Sequence, residues 1–213
     1  MSRPVLVDYA AFARLGVATV YEAAGRVGLI DADFVSVIPG ARAAGPARTV
    51  LCGQDDNLMV HAAIEHIGRG EIVVLTMPQA RPVALIGELL ITQMIARGAA
   101  GVLCDASTRD VEELATMGLP IWTRWVRVRG ADKKIPGKLD VTVHVGGAAI
   151  APGDIVILDP DGACVIPAAN ATAVLAASEE RFAREQRSRE RYENGELSYD
   201  INDLRRVVEG DAH

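Results

Sequence analysis

Apolar positions along the chain recur at two periods, and the switch between them marks out the elements. Leu58, Val60, Ala63, Ile64 and Ile67 repeat at helical spacing behind Asp55-Asp56-Asn57, so a helix begins there and Gly68-Arg-Gly70 ends it. Glu71 to Thr76 is then a continuous apolar run, expected as a strand buried on both faces. Upstream, residues 8–15 predict a short helix ending at Gly16, and a second helix opens at Thr19 or Val20 and stops by Gly25–Gly28. From Val35 to Cys52, β-prone pieces are broken by Pro and Gly, which predicts two strands joined by a turn near Gly45-Pro46.

The middle of the chain repeats the helix-to-strand pattern. A proline-containing loop, Met77 to Ile86, leads to Gly87, an amphipathic helix from Glu88, a turn at Gly98, a short apolar strand and the charged pair Arg109-Asp110. A short helix over 111–117 closes at Gly118, and Pro120 to Val126 resumes strand character with Trp122 and Trp125 on opposite faces. The basic loop that follows is solvated by default, although Arg124 or Lys133 would suit a substrate with several carboxylates. Strands are expected at Leu139–Val145, Ala148–Ile150, Ile155–Leu158 and Ala163–Ile166, an all-β layer attached to a βα half. Residues 170–194 read as a helix with Val174, Leu175 and Phe182 early and charge thereafter, closed by Gly195. A helix polar on every face seldom docks on its own core, so this one is expected to project and lie against a neighbouring subunit.

Composition narrows the function classes. With 213 residues, half of them apolar, the chain suits one substantial core. A net charge of −6 and scarce aromatic residues argue against nucleic-acid or anionic-membrane surfaces. Cys52, Cys104 and Cys164 are widely spaced in apolar runs, which predicts buried thiols in a reducing compartment and no zinc site. The N-terminus lacks a leader-like apolar stretch and no run reaches membrane-spanning length, so a cytoplasmic protein is expected.

Candidate chemistry sits at the two ends of Gly87–Asp110. Glu88 opens a helix, where free N–H groups favour an anion, and Arg109-Asp110 lie just past a strand's carboxyl end, where α/β folds bind ligands. The guanidinium suits an anionic substrate and the carboxylate a hard divalent cation. Taken alone, Asp110 reads instead as the N-cap of the following helix, with Glu113 at the capping-box position. His61 and His66 are not spaced to share a helical face, and Glu22 reads first as a surface charge.

Glu88, twenty intervening residues and Arg109-Asp110 resemble the acidic-X20-Arg-Asp signature of the class II pyruvate aldolases acting on 4-hydroxy-4-methyl-2-oxoglutarate and 4-carboxy-4-hydroxy-2-oxoadipate. The same fold group includes RraA-like regulators of ribonuclease activity. Gly16–Gly28, Asp56-Asn57 before a helix containing His61, Gly87-Glu-Leu-Leu, Arg97-Gly98, Pro152-Gly-Asp154 and Asp159-Pro-Asp-Gly162 extend the likeness over almost the whole chain. Glu stands at 88 where Asp is commoner, and the loop Val126–Lys134 lacks the small-residue pattern of many members.

The resemblance implies a single α/β domain, an α/β/β/α sandwich over 1–169, with 170–213 as a helical extension packing on a neighbouring subunit of a homotrimer or homohexamer. It implies metal-dependent retro-aldol cleavage to pyruvate, with oxaloacetate decarboxylation as a side activity and a place in aromatic-compound degradation. Asp110 would ligate Mg²⁺ or Mn²⁺ directly, while Glu88 and the neighbouring subunit's Glu185 would hold the ion's waters. Gly87 and the N–H groups of Leu89 and Leu90 would take the pyruvyl carboxylate, with Arg109 on a substrate oxygen. No lysine lies within Gly87–Asp110 to form a Schiff base. The alternative the resemblance leaves open is a non-catalytic regulator binding a ribonuclease complex.

Overall fold

The computed structural model describes residues 7–210; residues 1–6, part of the N-terminus read above as leader-free, and 211–213 lie outside the described residues. In chain order the elements are α1 (Tyr9–Leu15), α2 (Val17–Ala23), β1 (Val35–Ser36), β2 (Ala43–Leu51), α3 (Leu58–Ala63), β3 (Ile72–Thr76), β4 (Ala84–Ile86), α4 (Glu88–Arg97), β5 (Gly101–Thr108), α5 (Val111–Thr116) and β6 (Ile121–Val126). They continue with β7 (Lys138–Leu139), β8 (Val143–Val145), β9 (Ala148–Ile150), β10 (Ile155–Asp159), β11 (Gly162–Ile166), α6 (Ala171–Glu193), α7 (Ser198–Ile201) and α8 (Leu204–Glu209).

One curled sheet runs β1-β6-β5-β3-β2-β10-β11, with β4 added beside β5 and β7 beside β2. Its β2-β3-β5-β6 part is parallel and its β2-β10-β11 part antiparallel. The seam is β2, and here the expected turn at Gly45-Pro46 does not exist. The strand passes straight through, pairing antiparallel with β10 over Ala43–Pro46 and parallel with β3 over Ala47–Leu51. Proline is tolerated where the ladder changes partner, and glycine is required because a Cβ at 45 would stand 2.1 Å from the Gly70 carbonyl oxygen.

Three apolar clusters make the layers. Val73, Leu75, Val102 and Cys104 on one face of the parallel strands meet Val60 of α3, Ile91 and Met94 of α4 and Leu114 of α5. The opposite face, with Ile72, Val74, Leu103 and Trp122, packs on Val143, Val145, Ile150, Val156 and Leu158. Beyond them Ile155, Ile157, Cys164 and Ile166 bury Phe12, Val17, Val20 and Ala171 of α1, α2 and α6. This is the α/β/β/α arrangement. Trp122 is 1 % exposed and its indole N–H donates to the Asp159 carbonyl at 3.0 Å, while the Trp125 ring lies 5.0 Å from the Arg124 guanidinium.

Two other expectations need adjusting. The loop Met77–Ile86 contains a strand, β4, and the predicted strand Leu139–Val145 is two pieces, β7 and β8, separated at Asp140, whose φ is 52°. On α6 only Ala171 and Ser178 are buried, and Leu197, Leu204, Val207 and Val208 beyond it are exposed. None of the described helices is long and apolar enough to cross a membrane.

Candidate functional site

The spacing between Glu88 and Arg109 is the length of one βαβ crossover. β4 leads through Gly87 into α4, Gly98 ends α4 with φ 85°, and β5 returns parallel to β4. The register pairs Ile86 with Thr108, the last residue of each strand. Gly87-Glu88 and Arg109-Asp110 are therefore the next residues on two adjacent chains, held also by the Arg109 N–H donating to the Ile86 carbonyl at 3.3 Å.

Asp110 does not cap α5. It has left-handed φ/ψ of 61° and 38°, and its side chain makes no capping hydrogen bond there. Its Oδ2 instead accepts the Glu88 N–H at 3.1 Å and lies 3.7 Å from the Arg109 Nε, so it caps the start of α4. Oδ1 has no protein hydrogen bond among the described residues. Gly87 makes this possible, because a Cβ there would fall 2.4 Å from Asp110 Oδ2 and 3.2 Å from Arg109 Cγ and Nε. The N–H groups of Leu89 and Leu90 have no acceptor among the described residues and stand at the positive end of a ten-residue helix.

These residues share a cavity of about 380 Å³, lined by Gly87, Glu88, Leu89, Leu90, Arg109 and Asp110 from the crossover, Asn57 and His61 from α3 and its approach, Glu113 from α5, and Gly130, Ala131 and Lys133 from the loop after β6. All the site residues expected within one chain thus come together. Glu185 does not join them: it lies on α6, 2.8 Å from Arg181 Nε, and Arg181 in turn is 3.8 Å from Glu22. Arg124 is also elsewhere, bound to Asp105 at 3.0 Å. Burial pushes the Asp105 carboxyl up despite this partner.

Asn57 and His61 were not expected as site residues from periodicity. Asn57 is buried, donates through Nδ2 to the Leu85 carbonyl at 2.9 Å, and leaves Oδ1 with no partner among the described residues. Partial burial, and then the Lys133 charge, lower the His61 pKa and so favour the neutral imidazole. The signal that would have found them is position: both follow Asp56, which anchors α3 through the Leu58 N–H at 2.8 Å.

A family model described as RraA-like: Aldolase/RraA matches residues 17–165. The chain belongs to this RraA-like family. A protein named "Putative 4-hydroxy-4-methyl-2-oxoglutarate aldolase" from Halalkalibacterium halodurans is 31% identical over 147 residues, 69% of this chain and 70% of that one. One of the same name from Burkholderia multivorans is 35% identical over 125 residues, 59% and 76% of the two chains. The crystal structure of Streptomyces coelicolor RraAS2, described as an unusual member of the RNase ES inhibitor RraA protein family, is 26% identical with a TM-score of 0.75, covering 89% of this chain and 98% of that one. The α/β/β/α fold is thus shared with RraAS2, and the region that the family model matches includes the whole crossover from Gly87 to Asp110.

Proposed function

We propose that the protein is a divalent-metal-dependent aldolase that cleaves 4-hydroxy-4-methyl-2-oxoglutarate or 4-carboxy-4-hydroxy-2-oxoadipate to pyruvate and a second 2-oxo acid, and that decarboxylates oxaloacetate as a side activity. The observation that carries this is the pairing of strand ends, which sets a carboxylate, a guanidinium and unpaired helix N–H groups around one small cavity. Asp110 with its Oδ1 available, and Glu88 beside it, form a sparse hard-oxygen donor set. Such a set suits Mg²⁺ or Mn²⁺, which keep most of their waters. Bound there, the ion would supply Lewis-acid stabilisation of the enolate that develops as C3–C4 breaks.

This chain's residues do the rest. The Leu89 and Leu90 N–H groups receive the C1 carboxylate, and Arg109 places positive charge beside the C2 oxygen. The C4 hydroxyl loses its proton to a water oriented by Glu88 and by Glu185 of a neighbouring subunit. The C3–C4 bonding pair moves into the pyruvate enolate, C4 becomes a carbonyl, and the same water returns a proton to C3. Residues 170–213 serve as the extension that carries Glu185 across the boundary of a trimer or hexamer, while 1–169 hold the cavity.

A coupled pyruvate assay with both 4-hydroxy-2-oxo acids and oxaloacetate tests the reading. Turnover with Mg²⁺ or Mn²⁺ that chelator abolishes is the expected result; turnover unchanged by chelator, or none with any of the three, overturns it. The likeness to RraAS2 favours a second reading, a regulator of an RNA-processing enzyme, which a metal-independent complex without turnover would support.

A further inference from the structure

We propose that Asp56 is a positioning residue, which fixes the segment 129–135 against the cavity so that Lys133 meets the second carboxylate of a dicarboxylic 2-oxo acid. The inference rests on the aldolase reading for its substrate class, and on the following geometry for the rest.

Residues 129–135 belong to no named helix or strand, yet they are tied down at several points. The Arg129 carbonyl accepts the Ala84 N–H at 2.7 Å, the Asp132 carbonyl accepts the Asn57 N–H at 2.8 Å, and the Asp132 N–H donates to the Asp55 carbonyl at 3.0 Å. Among the described residues the one side chain holding its backbone is Asp56, fully buried, whose Oδ2 accepts the N–H groups of Lys134 at 2.6 Å and Ile135 at 3.0 Å. Its Oδ1 is already bound to the Leu58 N–H, so a single carboxylate joins this segment to the first turn of α3.

What the segment delivers is charge. Lys133 lines the cavity and makes no hydrogen bond or ion pair among the described residues, whereas Lys134 beside it lies 4.0 Å from Asp132. Arg124, the other cation suited to a distal carboxylate, is committed to Asp105. The cavity is therefore lined by two cations, Arg109 and Lys133, and a 4-carboxylated 2-oxo acid brings at least two carboxylates. A volume of about 380 Å³ suits a molecule of that size. Oδ2 faces two donors and Oδ1 one, so an amide at 56 sets a donor against a donor in either orientation.

The test compares pyruvate with 2-oxoglutarate, which has the substrate skeleton but no 4-hydroxyl and cannot undergo the retro-aldol step. Dissociation constants for both are measured with excess Mg²⁺ on the full-length wild type, Asp56→Asn, Lys133→Ala and Lys133→Arg. Wild type is expected to favour 2-oxoglutarate by about tenfold, the scale of one partly desolvated ion pair. Lys133→Ala removes that preference, Lys133→Arg retains it, and Asp56→Asn removes it while speeding amide exchange across 129–135. Equal binding of the two acids by wild type overturns the proposal. So does a preference unchanged in Lys133→Ala, or unchanged exchange in Asp56→Asn; if Asp56→Asn does not fold, the lysine variants decide. Binding is read without turnover, so a lysine-dependent preference in a protein that cleaves nothing would sink the aldolase reading alone.

Discussion

Asp110 Oδ2 accepts the backbone N–H of Glu88 at 3.1 Å, although the two residues lie 22 positions apart. This bond gives Asp110 a structural role at the start of α4 beside the chemical one proposed for it in the cavity, and two substitutions separate them. Asp110→Asn keeps an acceptor for the Glu88 N–H but loses the charge. Activity should fall by about 10²- to 10³-fold, with the melting temperature within about 2 °C of wild type. Asp110→Ala loses both, and thermal unfolding should show a further loss of about 1 kcal/mol from the missing cap. Full activity in Asp110→Ala would remove it from the site.

Gly87 stands against both Asp110 and Arg109 and Gly130 against Arg109 alone, and their alanine variants should differ. The φ and ψ of Gly87 are extended and open to any residue, so the obstacle is contact alone: a Cβ 2.4 Å from Asp110 Oδ2 must push that carboxylate out of place. At Gly130 a Cβ would stand 3.0 Å from Arg109 Nη1, the far end of a flexible side chain. Gly87→Ala should lower kcat more than tenfold, and Gly130→Ala should chiefly raise KM, by a few fold. Steady-state kinetics on purified, folded variants decide between this and a common effect.

How much of this was legible in the sequence depends on the range of the interactions. The helical run at 58–67, the buried strand at 72–76 and the βα passage from Gly87 to Thr108 followed from local periodicity, because each buries a face its own residues define. Taken alone, Asp110 reads as a cap of α5 for the same reason. A local capping pattern was visible, whereas the partner at Glu88 exists only once β4 and β5 pair in one register. The passage of β2 through Gly45-Pro46 was hidden because two strands from distant parts of the chain share that strand end to end. Asn57 and His61 line the cavity together with Gly130, Ala131 and Lys133, whose segment carries no periodic signal at all.

The three cysteines should be inert in the native protein. Burial pushes the Cys52 and Cys164 thiols up to about 12 and Cys104 higher still. All three are fully or almost fully buried, and none forms a disulfide. At pH 8 a thiol-reactive chromophore should therefore titrate essentially none of them over minutes, and all three once the chain is unfolded in guanidinium. Rapid native labelling with loss of activity would contradict the packing of β2, β5 and β11.

Acid should loosen the contact that Asp56 makes. Burial acts to raise this carboxyl, but the N–H donors of Lys134, Leu58 and Ile135 and the charge of Lys133 prevail and hold it below its ordinary 3.8. A depressed folded pKa means that the unfolded chain binds the proton more readily. The contribution to stability is therefore complete above the ordinary value and lost as pH falls below it through the folded one. Denaturant unfolding of wild type should weaken over that interval. The Asp56→Asn variant should start less stable at pH 7 and show a shallower acid limb, and parallel limbs in the two proteins would refute the assignment.

The position of Glu185 gives the last prediction, because it can be read without a structure of the assembly. Within its own chain Glu185 lies on α6 beside Arg181, away from the cavity that Asp110 lines. If each site combines the Asp110 of one subunit with the Glu185 of another, then Asp110→Ala and Glu185→Ala homo-oligomers should each be severely impaired. Subunits exchanged between them should regain turnover. In a random one-to-one mixture a site is intact only when its own subunit keeps Asp110 and its neighbour keeps Glu185, so activity should recover to about a quarter of wild type. Sedimentation of the mixture shows whether the oligomers have reassembled. Reassembly without recovery, or a Glu185→Ala protein as active as wild type, would remove Glu185 from the site and leave Glu88 as the acid beside Asp110.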